Sequence, residues 1–273
     1  MAARKSIGLN HDYYARPFLQ QAGTMGWSVI VDSPASLAIR LRENSVDAAM
    51  ISPIDYAREG SLYRIVPRLA VSSRDASNAV ILQFRQGIRT ITSLAVRPHA
   101  IGDIILAKII LMEEFDVSPV IVPVGTAAGA MLERADAALI TGDEALLLEA
   151  GQKNSIDLVE AWGEMTDLPY VHGMFCFREG RLFREELRAF RAFTPVDTSV
   201  IEAIANDAAE RQSLAGRNAD SLRSYLSSFS YSLTDDVEES IREFLKYAYY
   251  HGIIPDVPEL NYANEIESFE KDG

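Results

Sequence analysis

Two stretches of this chain are near copies of each other. Val46–Ala57 reads V-D-A-A-M-I-S-P-I-D-Y-A, and Ala135–Leu146 reads A-D-A-A-L-I-T-G-D-E-A-L. Each runs Asp-Ala-Ala, then Met or Leu, then Ile, then a hydroxyl residue, then a turn that carries a carboxylate. A short run that is small and apolar fits a buried strand. Ser52 or Thr141 closes the strand, and a turn into a helix follows. One such unit in each half of the chain constrains the fold to two related lobes. Their matching strand ends meet at a shared cleft, the arrangement of a ligand clamp.

The surrounding pattern is α/β. Ser6–Leu9 is predicted as a strand, residues 11–17 as a polar and aromatic turn, Phe18–Met25 as a helix stopped by Gly26, and Trp27–Val31 as a strand. Ser33-Pro34 opens a helix that runs to about Glu43, with Ser as N-cap and Pro at the first helical position. Its face carries Leu37, Ala38 and Leu41. Strand, helix, strand, helix, strand from Ser6 to Ser52 implies parallel pairing and right-handed crossovers. Tyr63–Val71, weakened by Pro67, and Asn78–Phe84 are further predicted strands. The chain is then expected to cross into a second lobe at Gln83–Arg89.

In that lobe the sequence predicts strand Ile91–Ala95, helix Asp103–Glu114, strand Val120–Val124, short helix Ala128–Arg134, signature strand Ala135–Ile140 and helix Glu144–Ala150. Strands Ile156–Ala161 and Tyr170–Phe177 lead back. Beyond Glu179 the pattern turns helical: Leu182–Phe193, Thr198–Leu214, Asp220–Leu226 and Thr234–His251. The last opens on Asp235-x-x-Glu238, which resembles a capping box, and ends at Gly252. The acidic tail from Asn264 is expected to fray. Residues 1–87 with 176–273 are expected to form one lobe and 88–175 the other.

Charge and cysteine usage narrow the function. A net charge of −13, from 26 basic and 39 acidic side chains, argues against nucleic acid or an anionic membrane surface, which need a basic footprint. It leaves room for a small anionic ligand held by local donors. Cys176 is the single cysteine, so there is no internal disulfide and no CxxC motif; in its apolar strand it reads as core rather than nucleophile. The N-terminal residues lack the apolar core of a secretory signal, and the apolar helix around 104–112 is too short to span a bilayer. The protein is expected to be cytoplasmic. The four histidines lack metal-ligand spacing, and neither a phosphate-binding Gly-rich loop nor a Ser nucleophile elbow is present. A homodimer through the C-terminal helices is possible, without a residue pattern that argues it.

Several pieces together resemble the chorismate dehydratase branch of the menaquinone-biosynthesis family. They are Ile7-Gly8 with Ala15-Arg16-Pro17-Phe18, Val46–Tyr56, Ile140–Leu146, Trp162–Val171 and Ser224–Gly252. The most specific are Gly142-Asp143-x-Ala145-Leu146 and Trp162 with Leu168-Pro169. The resemblance runs over nearly the whole chain. It implies a type II periplasmic-binding-protein-like fold, two α/β lobes with a central cleft for a small organic acid, a helical C-terminal region and no cofactor. The implied activity removes water from a cyclohexadienol acid to give a carboxyvinyloxy benzoate. The cyclase of the same pathway fits these motifs less well.

The chain departs from that branch at three ligand-facing places. The branch's Asn before the small-basic-Pro turn falls on Tyr14. Its Ser before an apolar strand falls on Ala79, with Ser77 and Asn78 close by. Its Ser-x-Thr-Ser at the second-lobe helix falls on Ala100-Ile101-Gly102-Asp103. A carboxylate at Asp103, if it lay about 4 Å from a ligand carboxylate, would oppose binding by roughly 4 kcal/mol at an effective dielectric near 20. That is on the order of a thousandfold in affinity. The second functional reading is therefore a clamp, or a divergent enzyme, for a less anionic or amine-bearing molecule.

Each candidate residue has a functional and a structural reading. His11, Tyr14 and Arg16 lie on the first strand-to-helix turn, where open α/β sheets bind ligands; His11 can move a proton and Arg16 can pair with a carboxylate, or the turn is simply exposed. Asp143 either accepts a hydrogen bond from a ligand or pins the hinge through backbone N–H groups. Ser52 and Thr141 close the signature strands and can donate to a ligand. Asp103 reads as a helix N-cap, or as the acid–base partner of His172. Tyr170, in the returning segment, completes the expected ligand contacts. Asp47 and Asp136 read as structural, and His99 and His251 carry no pattern.

Overall fold

The computed structural model describes residues 4–125, 128–148, 154–193, 196–210 and 218–263. The expected fraying tail from Asn264 and the expected helical stretch beyond 210 lie outside the described residues. The chain begins β1 (Ser6–Leu9), α1 (Arg16–Ala22), β2 (Ser28–Val31), α2 (Pro34–Arg42), β3 (Ala48–Ile51), α3 (Pro53–Ala57) and β4 (Tyr63–Ser73). Strand β1 pairs in parallel with both β2 and β3, as the alternating pattern predicts. Ser33 caps α2, its Oγ accepting from the Ser36 N–H.

The second set is β5 (Val80–Phe84), β6 (Ser93–Val96), α4 (Ile101–Phe115), β7 (Val120–Pro123), α5 (Ala128–Met131), β8 (Ala137–Thr141), α6 (Asp143–Leu146) and β9 (Ser155–Asp157). Here β6 pairs in parallel with β7 and β8. The chain continues α7 (Leu158–Thr166), β10 (Tyr170–Arg178), α8 (Arg184–Ala189), α9 (Thr198–Glu210), α10 (Ala219–Ser227), β11 (Phe229–Ser232) and α11 (Asp235–Tyr250).

Two sheets result, ordered β11-β4-β10-β3-β1-β2 and β7-β6-β8-β5-β9. Beside each signature strand, β3 or β8, lies an antiparallel strand, β10 or β5. By sheet membership the chain changes sheet between Ser73 and Val80, and again between Asp157 and Tyr170. Both changes come earlier than the expected boundaries at 87/88 and 175/176.

Three local expectations are corrected. Ile156–Ala161 is not a strand: β9 ends at Asp157, whose carboxylate accepts from the Val159 and Glu160 N–H groups and starts α7. Apolar Leu158, Val159 and Trp162 belong to its buried face. Phe229–Ser232 interrupts the helical region as a strand on β4, its side chains alternating buried and exposed. At Pro67 the β4–β10 ladder is interrupted as expected: the pairing jumps from Ile65 to Ala70 across it, and its missing N–H falls in the bulge. The Asp235-x-x-Glu238 capping box is absent: Thr234 is the N-cap, with no side-chain hydrogen bond.

The core of the first sheet is aromatic. Phe18 meets Phe175, Phe193 and Tyr231 edge-on at 5.0, 5.3 and 5.6 Å between centroids. Trp162 is fully buried between Phe244 and Tyr247. Cys176 is buried in β10. Among the described residues no helix is long and apolar enough to cross a membrane.

Candidate functional site

The signature strands are held at their starts by the same device. Asp47 Oδ2 accepts from the Ser6 N–H and Oγ, and Ser6 Oγ in turn accepts from the Asp47 N–H. Asp136 Oδ2 accepts from the Ser93 N–H and Oγ, and Ser93 Oγ accepts from the Asp136 N–H. Thr92 adds two further donors, which hold the Asp136 carboxyl down at about 2. With the starts pinned in this way, the carboxyl ends of β1, β6 and β8 point their following turns toward one another.

Those turns enclose a cavity of ≈ 120 Å³. Its walls are His11, Asp12 and Tyr14 after β1; Arg97, His99, Ala100 and Asp103 after β6; Thr141, Gly142, Asp143 and Glu144 after β8; and Pro34. Room for a few waters is left. The two lobes touch across it. The Tyr13 N–H donates to Asp143 Oδ1 at 2.8 Å, and the Asp143 N–H donates to Asp12 Oδ1 at 3.3 Å. The Ala35 N–H donates to the His99 carbonyl at 3.2 Å. Gly142 permits the Asp12 contact: its φ is 62°, and a Cβ there would lie 2.1 Å from Asp12 Oδ1.

Acidic groups dominate this lining. Burial, then the Asp12 charge, lift the Asp143 carboxyl to about 6 against the Tyr13 N–H that favours its anion. Burial lifts Asp103 to about 7, with Asp12 adding to the rise and the Tyr170 hydroxyl bond opposing it. Glu144 is paired with Arg97 at 2.6 Å. His99 is pushed down by burial and by Arg97. Burial thus raises two carboxyls of this lining toward neutrality, the range in which acid–base groups work.

Behind the cavity lies an aromatic layer. The Tyr14 hydroxyl accepts from Asn10 Nδ2 at 2.7 Å, and its ring stacks on Phe229 at 5.4 Å. His172 sits 5.2 Å from the Tyr14 ring and 4.9 Å from Tyr170. Its Nε2 lies 2.7 Å from Ser73 Oγ, and burial drives its pKa down to about 3. His172 is thus a neutral ring held by Ser73, outside the cavity lining. It does not pair with Asp103, whose Oδ1 is bound by the Tyr170 hydroxyl at 3.0 Å.

Of the expected site residues, His11, Tyr14, Asp103, Thr141 and Asp143 converge on the cavity. Asp143 makes the backbone contact that the structural reading describes. Asp103 is no N-cap: Ala100 holds that position without a side-chain bond, and Asp103 lies in the first turn. Arg16 turns away, its guanidinium 4.9 Å from the Tyr13 ring centroid and beside a different hollow near α9. Ser52 is engaged with Asp55 as the N-cap of α3, donating at 2.7 Å. Asn78 is exposed at φ 53° with its N–H on Asp157. Ala79 contributes its carbonyl to the Gly142 N–H, and Ser77 is buried. Gly102 and Tyr170 lie one layer behind.

Sequence reasoning missed Asp12, Asn10, Arg97, His99, Glu144 and Tyr225. Asp12 lies between His11 and Tyr14 in the turn after β1. Tyr225, from α10, and Asn10 each keep a buried oxygen without a hydrogen-bond partner among the described residues. Asp12, Asp143 and Asp103 all act on the Tyr225 hydroxyl, after burial, to raise its pKa. No group of three or more His, Cys, Asp or Glu side chains among the described residues is placed to hold a metal.

Known proteins share this architecture. Protein AF1704 from Archaeoglobus fulgidus superposes with a TM-score of 0.69 at 18% identity, over 92% of this chain and 98% of that one. The Candida albicans CA3427 gene product, described as having the generic periplasmic binding protein fold, gives 0.64 at 10% identity over 99% of each chain. The periplasmic aliphatic sulphonate binding protein SsuA from Escherichia coli gives 0.59 at 14% identity, over 95% and 96%. At such identities the likeness speaks for fold: the protein is a two-lobed α/β structure of the type II periplasmic-binding-protein kind. The family model for menaquinone biosynthesis matches residues 7–250. With that match over most of its length, the chain belongs to the menaquinone-biosynthesis family.

Proposed function

We propose that the protein is a chorismate-dehydratase-like lyase that removes water from a small cyclic carboxylic acid in the cleft between its lobes. The observation that carries this reading is Asp103, a half-buried carboxyl on the cavity wall, held by the Tyr170 hydroxyl, whose pKa burial raises to about 7. Elimination takes a proton from a ring carbon, breaks the neighbouring carbon–oxygen bond and releases the hydroxyl with a proton as water. A carboxyl poised near the working pH can take the first proton and return it to the leaving hydroxyl. Closure of the lobes excludes water and fixes orientation, and aromatisation drives the step. The residues argued for this chemistry are Asp103 as proton-transfer group and His11 at the mouth. His172, neutral and behind the wall, is not among them.

The test is incubation with chorismate, followed by chromatography of the product. Formation of a carboxyvinyloxy benzoate that disappears in Asp103→Asn supports the reading; no product across the neutral pH range sinks it. A second reading is a ligand that is less anionic or bears an amine. Asp12, Asp103, Asp143 and Glu144 around one small cavity favour it. Thermal-shift screening would then find amine-bearing stabilisers and none among di-acids.

A further inference from the structure

Asp103 and Tyr170 come from different sheets. Asp103 stands in the first turn of α4, after β6, and Tyr170 opens β10 beside β3 and β4. The Tyr170 hydroxyl donates to Asp103 Oδ1 at 3.0 Å. Its ring is set edge-on to His172 at 4.9 Å and against Phe244 at 6.0 Å. The preceding carbonyl, of Pro169, accepts from Ser240 Oγ, which itself accepts from Trp162 Nε1. Gly102 lets α4 approach this point: a Cβ there would meet Ser52 Cβ at 2.9 Å and the Tyr170 hydroxyl at 3.5 Å. Tyr170 is absent from the cavity lining. Its hydroxyl reaches the cleft lining at Asp103.

We propose that Tyr170 is a positioning residue: its hydroxyl holds Asp103 Oδ1, orients the carboxyl toward the cleft, and keeps it able to give up its proton. This deepens the reading of Asp103 as the proton-transfer group and rests on it. The electrostatics agree. Asp12, Tyr14 and Tyr225 face Asp103, while Asp55 and His172 face Tyr170. Burial and Asp12 both favour the protonated Asp103 carboxyl, and the Tyr170 hydroxyl alone among these favours the anion. Without that donor the carboxyl stays protonated through neutral pH and cannot accept a proton.

The experiment is a carbon-13 titration of the Asp103 carboxyl, assigned with Asp103→Asn, in the full chain without substrate. Tyr170→Phe should move the midpoint upward by roughly one pH unit, as loss of one hydrogen bond to a charged group predicts. Placing 3-fluorotyrosine at position 170, a more acidic donor of nearly the same shape, should move it downward and keeps the test valid if Tyr170→Phe does not fold. Opposite shifts support the proposal. An unmoved midpoint in either folded protein, or shifts of the same sign, overturns it. Because the titration needs no turnover, a chain that shifts as expected yet leaves chorismate untouched fails only the lyase reading.

Discussion

Asp143 Oδ1 lies 2.8 Å from the main-chain nitrogen of Tyr13, and the Asp143 nitrogen lies 3.3 Å from Asp12 Oδ1. Each lobe thus offers a carboxylate to the other's backbone. The clasp brings two like charges into one partly buried space, which its N–H donors only partly offset. That conflict sets the first prediction.

Stability of the closed form should fall as pH rises toward neutrality. Asp143 and Asp103 are lifted to about 6 and about 7, above the ordinary 3.8. Groups raised in this way favour the folded, closed state while protonated, and that contribution is lost as pH rises through the folded values. The melting temperature should therefore decline from about pH 4 to about pH 7 and level off above that. Asp103→Asn and Asp143→Asn should each flatten the decline; a slope unchanged in both variants contradicts the assignment.

Gly142→Ala should open the clasp. Its φ of 62° disfavours an L side chain, and the new Cβ would collide with the Asp12 carboxylate. Strain of about 1–3 kcal/mol is expected for this glycine-favoured backbone (φ 62°, ψ −139°) alone. Small-angle scattering should show a larger radius of gyration than wild type. Gly87→Ala, at a comparable φ with nothing within 4 Å, should leave the radius unchanged.

Ser240→Ala should be costly for so small a change. It strands the Pro169 carbonyl and the Trp162 indole N–H, both now bonded to Ser240 Oγ. Two unsatisfied buried groups cost on the order of 2–4 kcal/mol together. Chemical denaturation reads this directly, and a loss under about 1 kcal/mol would argue that the pocket rehydrates.

Arg16→Ala should leave ligand affinity within about twofold of wild type, because the guanidinium stacks on Tyr13 outside the cavity lining and reaches it only as a minor charge on Asp143. Isothermal titration with whichever ligand is found checks it; a tenfold loss would put Arg16 back in the site.

The sequence was most legible where local chemistry repeats. The paired Asp-Ala-Ala units place β3 and β8 at equivalent sheet positions, and Ser33-Pro34 starts a helix as written. Ile156–Ala161 reads as a strand because a short apolar run looks extended until the Asp157 cap is recognised. Phe229–Ser232 was hidden inside helical surroundings, its alternation too short to stand out. At the site, Asp12 and Tyr225 are visible only once three distant segments meet. Ser52 shows the reverse: a hydroxyl at a strand end fits a ligand donor and a helix cap equally, and here Asp55 engages it.

The cavity bounded by Asp12 and Asp143 has a kinetic consequence. At ≈ 120 Å³ it admits little more than solvent, so any larger guest must wait for the clasp to part. Arrival is then governed by how often the lobes gape, and apparent affinity is diluted by the fraction of time they do so. Variants that loosen the clasp should capture guests sooner and surrender them sooner. For any such guest, these two aspartates should bear on residence time as well as on tightness.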